Sequence, residues 1–258
     1  MDNNQLLNHL TQQAVEARRM VLGQRLTQHF RGAIAYGLFK GLRMNEKQVW
    51  GPGDLAPKLL GLYEKEVLES IASGRGRWDC GINLGAGDGY YGVGLLRSGM
   101  VQRSICFEQS AEGQAAIKVC AEANGMADHI SIMGRAGANF LDVPELQQVN
   151  LARCLIVIDI EGGEFDLLSP GLLDRLRPAE IIIELHGGFF PKDPEIETRL
   201  LNLLQERFHC ELLIMGARDL SAIPEVARFN DSDRWLLCSE GRPFQMRWVH
   251  CRPRQAEI

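Results

Sequence analysis

The stretch GINLGAGDGYYG, residues 81–92, decides how the chain is read. An apolar run leads into it, and Gly85, Gly87, Gly89 and Gly92 then crowd a single turn. Glycine loses more backbone freedom on folding than any other residue. Such a concentration implies that something approaches this backbone too closely for side chains. The turn follows a strand-like run (80–84) and precedes a helical stretch (91–98). In an open parallel sheet, ligands bind beyond the carboxyl ends of the strands, where the strand order reverses. Amides at the start of the following helix favour a negative group. The turn by itself thus points to a nucleotide-like cofactor without choosing one.

From residue 78 onward, strand and helix patterns alternate. Strands are expected at 80–84, 104–108, 130–133, 155–160 and 181–185, with helical stretches at 111–124, 163–176 and 194–207 between them. The runs LIVI and III are continuous and rich in β-branched residues, as in strands covered on both faces. Two last strands are expected at 211–215 (ELLIM) and 234–239 (RWLLCS), joined by a long polar connection and antiparallel. The result is an α/β fold, a doubly wound and mostly parallel seven-stranded sheet.

Residues 1–75 read differently. Leu6, Leu10 and Ala14, then Leu22, Leu26 and Phe30, recur at helical spacing. WGPGDLAP (50–57) breaks the pattern, and KLLGLYEKEVLESI resumes it. The chain therefore divides into an N-terminal helical extension (1–75) and a larger domain (76–258). The 258 residues carry a net charge of −5, and 45% are apolar. Such a balance gives no electrostatic case for nucleic acid, which is expected not to be a partner. Seven cysteines with no C-x-x-C pair argue against a disulfide framework and a zinc site. With no signal-like N-terminus and no membrane-length apolar run, a soluble cytoplasmic protein with no membrane partner is expected. The apolar N-terminal helical segment is a candidate surface for a homodimer.

Glu108 ends the second strand a little over twenty residues beyond Gly85, where a carboxylate can accept both hydroxyls of a ribose. Dinucleotides and S-adenosylmethionine both carry such a ribose. The dinucleotide fingerprint is G-x-G-x-x-G, whereas here the first three glycines run G-x-G-x-G and Gly92 comes late. This spacing resembles the first motif of the class I S-adenosylmethionine-dependent methyltransferases, whose fold is Rossmann-like. That family usually has an acid two residues before the first glycine, where this chain has Asn83. VIDIEGGEFDLL (157–168) is a second dense stretch, and IIIELHG (181–187) a third. Strand residues alternate faces, so Asp159 and Glu161 share a side, as do Glu184 and His186. Glu164, near a helix start, suits the helix dipole. D-x-E-G-x-E followed by a strand ending E-L-H is similar to the FkbM-type branch of that family, over about residues 78–190.

The resemblance implies S-adenosyl-L-methionine as cofactor and methyl transfer to a hydroxyl of a small molecule or sugar. It places Asn83, Gly85, Ala86, Gly87, Gly89, Tyr90, Glu108, Gln109, Arg135, Ala136 and Asp159 at the cofactor. In many relatives an acid follows the third strand at the adenine, but here Arg135 and Ala136 stand there. Asp159, Glu161, Glu184 and His186 are the candidates for the catalytic group, His186 needing the smallest shift to act as base near neutral pH. The same carboxylates and imidazole suit Mg²⁺ or Mn²⁺, although no metal is the favoured reading. Tyr63 and Glu66 either reach the cofactor or, the simpler reading, lie on an amphipathic surface helix, and Phe189 and Phe190 either wall an acceptor pocket or pack in the core. Two rival readings stay open. One is an NAD-dependent oxidoreductase, which leaves D-x-E-G-x-E unexplained. The other is a degenerate methyltransferase fold kept as a binding module.

Overall fold

The computed structural model describes residues 2–45 and 52–254, so Trp50 and Gly51 of the expected break lie outside the described residues. The chain opens with α1 (Asn3–Phe30). Asp2 caps it by accepting from the Gln5 amide, while the Gln5 side chain accepts from the Asp2 amide. Leu22 and Leu26 are buried on its C-terminal half, whereas Leu6, Leu7 and Leu10 stand exposed. Two short helices follow, α2 (Leu55–Leu59) and α3 (Lys65–Ala72).

The α/β part then runs β1 (Cys80–Leu84), α4 (Tyr90–Arg97), β2 (Arg103–Phe107), α5 (Ala111–Ala123), β3 (Ile130–Met133) and β4 (Cys154–Ile158). It continues with α6 (Glu164–Leu167), α7 (Pro170–Leu176), β5 (Glu180–Leu185), α8 (Ile196–Gln205), β6 (Phe208–Ile214), α9 (Asp231–Cys238) and β7 (Arg247–Pro253). The sheet has seven strands in the order β3-β2-β1-β4-β5-β7-β6. The first five are parallel, and β7 runs antiparallel to both β5 and β6. The expected doubly wound, mostly parallel α/β sheet is present. Its order reverses at β1 and β4, where Leu84 pairs with Ile158, so the loops that leave these two strands diverge and open a crevice.

Both faces of the sheet are covered, which is why β1 and β4 are buried at every position. On one face Leu155, Val157, Ile182 and Trp248 share a core with Leu22, Leu26, Phe39, Leu59 and Leu60. Leu22, Leu26, Phe39, Leu59 and Leu60 of the N-terminal extension thus pack directly on the sheet. On the other face Ile82, Ile156 and Ile183 pack under Leu172, Leu173 and Leu200. His250, fully buried on β7, meets Ser70 at 2.8 Å and Glu180 at 3.2 Å, which satisfies both ring nitrogens.

The C-terminal elements correct the sequence reading. Residues 234–239 do not form a strand, since most of them belong to α9. Asn230 caps this helix by accepting from the Asp233 amide, and Asp233, Leu237 and Cys238 are buried at helical spacing. The last strand is instead RWVHCRP (247–253), in which Arg247, His250 and Arg252 interrupt the apolar Trp248, Val249 and Cys251. Its Arg247, His250 and Arg252 find acidic partners, and these offset the charges that hid the strand pattern.

Candidate cofactor and catalytic site

The glycine turn joins β1 to α4 at the reversal point. Gly85 has φ of +78°, and a Cβ there would lie 1.6 Å from the Asp159 carbonyl oxygen at the end of β4. Gly92 lies on α4, and a Cβ there would lie 2.2 Å from the Cys106 sulfur on β2. The close approach that excludes side chains at these two positions comes from the protein itself. The turn's amides are also occupied. Those of Gly85 and Ala86 donate to the Phe107 carbonyl at 2.9 and 3.0 Å, and that of Gly89 to the Ala86 carbonyl at 2.9 Å. Gly87 donates to Glu108 Oε2 at 2.9 Å. The expected bare backbone cradle for an anion is therefore not what these four amides provide.

Above the turn lies a cavity of about 590 Å³. Asn83, Gly85, Ala86, Gly87, Tyr90, Glu108, Gln109, Arg135, Ala136 and Asp159 all line it. Gly89 does not; with φ of +90° it forms the residue before α4. The Glu108 carboxylate is 5% exposed and is fixed by the amides of Gly87 and Ser110, the latter at 2.8 Å. Each oxygen keeps lone-pair capacity for a further donor, which suits a vicinal diol. A Cβ on Gly113 would sit 2.6 Å from Glu108 Cγ, so that glycine, on α5, is also required by the site. Asn83 Oδ1, Tyr90 Oη and Asp159 Oδ1 are buried without a hydrogen-bond partner in a cavity lined by their own residues. Buried polar atoms are nearly always paired, so three orphans around one cavity mark the place of a polar ligand.

The second constellation converges behind Asp159. His186 Nε2 faces Asp159 at 3.6 Å, Glu184 at 3.5 Å and Glu161 at 3.7 Å. His186 and Glu184 are each 1% exposed and do not line the cavity, whereas Asp159 and Glu161 do. Glu164 is fully buried and accepts from the His186 amide and from its Nδ1, both at 3.0 Å, and from the Gly162 amide at 2.9 Å. The helix-start role expected for Glu164 is thus the smaller part of what it does. It fixes the ring so that Nε2 points at Asp159. Burial alone lowers the His186 pKa, but Glu164, Asp159 and Glu161 outweigh it and the net shift is upward. Burial, with Asp159 and Glu64 beside it, pushes the Glu184 carboxyl well above the usual range, against the opposing pull of Arg242. Asp159, Glu184 and His186 each offer one ligand atom within 4.8 Å of the others, close enough together to hold a metal ion. Arg242 Nη1, 3.0 Å from Glu184, already supplies a positive charge there.

Sequence reasoning missed the far wall. Glu64 adopts φ of +48° and is 1% exposed, with Tyr91 Oη and Arg242 Nη2 on its carboxylate. Burial pushes its pKa up to about 7, against the opposing pull of Arg242. Arg242 also reaches Tyr63 Oη at 3.1 Å. Lys58, on α2, is 5% exposed, lies 3.6 Å from Asp88 and 5.0 Å from the Tyr63 ring centre. Tyr63 lines the cavity, contrary to the simpler surface-helix reading. Glu66 turns away to Arg218 at 2.6 Å, and Phe189 and Phe190 pack on His186 and Phe165 instead of lining the cavity. The YEKE run carried a signal for this wall. Nothing local to Arg242 did, because the chain reaches the site there only after β6 and α9.

No family model matches the chain, and no curated protein matches it. Among solved structures the likeness is to α/β methyltransferase folds. A candidate tRNA methyltransferase from Streptococcus pneumoniae, in complex with S-adenosyl-L-methionine, is 18% identical with TM-score 0.47, covering 75% of either chain. A precorrin-6y C5,15-methyltransferase from Geobacter metallireducens is 10% identical with TM-score 0.47, covering 82% of this chain and 93% of that one. TrmK of M. capricolum, in complex with S-adenosyl-homocysteine, is 8% identical with TM-score 0.43, covering 72% and 67%. The expected absence of a nucleic-acid partner is overturned, a candidate tRNA methyltransferase standing among the structures this chain is similar to. Net charge describes the whole surface and does not decide what one face or one cavity accepts. Among the described residues no helix is long and apolar enough to cross a membrane.

Proposed function

We propose that the protein is an S-adenosylmethionine-dependent methyltransferase that methylates a hydroxyl oxygen, with a small molecule or sugar as acceptor. Residues 76–258 would form the catalytic domain and residues 1–75 its cap. The observation that carries this reading is the Glu108 carboxylate, locked by two amides beside the glycine turn, in a cavity with three orphaned buried polar atoms. The D-x-E-G-x-E and E-L-H stretches, which join in one cluster around His186, support the FkbM-type resemblance.

The cofactor supplies an electrophilic methyl group on a sulfonium. Glu108 would accept the ribose hydroxyls, Arg135 and Ala136 would flank the adenine, and Asn83 Oδ1 would accept from the methionine ammonium. Asp159 lines the cavity and is the group placed to take the acceptor hydroxyl's proton on a carboxylate oxygen. His186 faces Asp159 from behind the cavity, oriented in turn by Glu164. Glu184 does not line the cavity and is not placed to act as base.

The test is calorimetric titration with S-adenosylhomocysteine and with NAD, followed by labelled methyl transfer to hydroxylated small molecules, sugars and bulk tRNA. Micromolar binding of S-adenosylhomocysteine and none of NAD is expected. The reading fails if S-adenosylhomocysteine does not bind at millimolar concentration. Transfer to tRNA alone would replace the acceptor and keep the chemistry.

A further inference from the structure

All seven cysteines are free, and four of them stand as partners on neighbouring strands. Cys80 and Cys154 are opposed on β1 and β4, in the middle of the sheet, and both are buried. Cys210 and Cys251 are opposed on β6 and β7, at one edge of the sheet. Their sulfurs lie 3.7 Å apart. Directly opposed residues of an antiparallel pair have Cα atoms about 4.5 or 5.5 Å apart, inside the span of about 4.4–6.8 Å that a disulfide bridges. Cys251 is fully buried, whereas Cys210, on the edge strand, is partly open to solvent. Arg254, which donates to the Phe208 carbonyl at 3.4 Å, brings positive charge to the same strand. The contact with Cys251, joined by Arg254, outweighs burial and holds the Cys210 thiol below its usual range. That same contact and burial push the Cys251 thiol well above its own.

We infer that Cys210 and Cys251 form a redox-active pair, which a hydroperoxide oxidises to a reversible disulfide. Cys210 is the thiol that the oxidant reaches, and Cys251 resolves it. The Cys210 sulfur attacks one peroxide oxygen and the O–O bond breaks. Cys210 becomes a sulfenic acid, and the other oxygen leaves as water with the thiol proton. The Cys251 sulfur then attacks the Cys210 sulfur, the S–O bond breaks, and the hydroxyl leaves as water with the Cys251 proton. Two thiols are thereby oxidised while one hydrogen peroxide is reduced to two waters. The sulfurs must close from 3.7 Å to about 2.05 Å. Rotation of the two side chains supplies this, because the strands already stand at bridging distance. The bond ties together the strands that flank residues 215–246, the segment that carries α9 and brings Arg242 to the cavity. This chemistry needs neither the methyl donor nor its acceptor.

The experiment treats the fully reduced, folded protein with hydrogen peroxide, blocks the remaining thiols with N-ethylmaleimide in denaturant, and maps the digest by mass spectrometry without reductant. One cross-linked peptide pair, joined through Cys210 and Cys251 and released by dithiothreitol, is expected, with the other cysteines alkylated. In Cys251→Ser the reaction should stop at a Cys210 sulfenic acid, which dimedone traps, and in Cys210→Ser no cross-link should form. A staple between residues 41 positions apart restricts the unfolded chain. The oxidised wild type should therefore melt about 5–10 °C above the reduced form, and dithiothreitol should reverse the rise. A cross-link mainly between Cys80 and Cys154 would overturn the assignment. So would loss of the Cys210 and Cys251 thiols no faster than that of free cysteine, or a lowered Tm on oxidation. The wild-type map and rate decide the matter even where a serine variant does not fold.

Discussion

Replacing Gly92 by alanine tests how the turn is built. A Cβ there would stand 2.2 Å from Cys106 Sγ and 3.4 Å from Ser104 Oγ, with Ile130 Cδ1 at 3.8 Å. Optimal carbon contacts lie at about 3.5–4.0 Å, so the sulfur is more than an ångström too close while the other two neighbours fit. Cys106 is fully buried on β2 and cannot swing to solvent, so α4 must move off the sheet. Overpacking of this kind costs about 1–3 kcal/mol, and the size of the shortfall puts Gly92→Ala near 3. Cys106→Ala removes the offending sulfur and one buried heavy atom, at about 1 kcal/mol. In the double variant the new methyl occupies the space the sulfur leaves. Its cost is therefore expected near that of Cys106→Ala alone, a favourable coupling of about 2–3 kcal/mol. Urea unfolding of the four proteins measures this, and Gly92→Ala alone should lower Tm by about 6–12 °C at roughly 2–4 °C per kcal/mol. Strict additivity of the two single variants would refute the reasoning, because it would mean that the helix and strand do not meet at this pair.

Glu108→Gln keeps the shape and one acceptor oxygen but loses the charge, so S-adenosylhomocysteine affinity should fall about tenfold in calorimetry with no comparable change in Tm. His186 has a pKa raised above its unfolded value, so its contribution to stability is full below about pH 6.5 and is lost as pH rises through the folded value. The stability difference between wild type and His186→Gln should accordingly shrink from pH 6 to pH 9 in urea titrations, and a growing difference would contradict the assigned cluster. Glu164→Gln should weaken that same pH dependence and lower kcat more than it changes KM, since the residue orients His186 and lies away from the cavity. EDTA should leave methyl transfer unchanged, because Arg242 already neutralises the Asp159–Glu184–His186 cluster; loss of activity restored by Mg²⁺ would reassign those three residues as ligands.

Local chemistry made much of this protein legible from its sequence. Continuous β-branched runs can only be strands covered on both faces, and they gave the parallel part of the sheet. Glycines at 85 and 92 announced a backbone under close approach, and Glu108 fell at the ribose distance from them. The sequence could not tell which body approaches. Gly85 and Gly92 are demanded by Asp159 and Cys106, residues 74 and 14 positions away in the chain, and that is a fact of packing. The same limit hid β7, whose charged residues read as a surface segment until their partners on β5, β6 and α8 are in place. It also hid Glu164 as the anchor of His186, because that contact spans 22 residues and two strands' ends. Above all it hid the wall of Lys58, Glu64 and Arg242. Periodicity and motif spacing report only on neighbours along the chain. A site closed by a segment before the first strand and a loop before the last is assembled by tertiary packing alone.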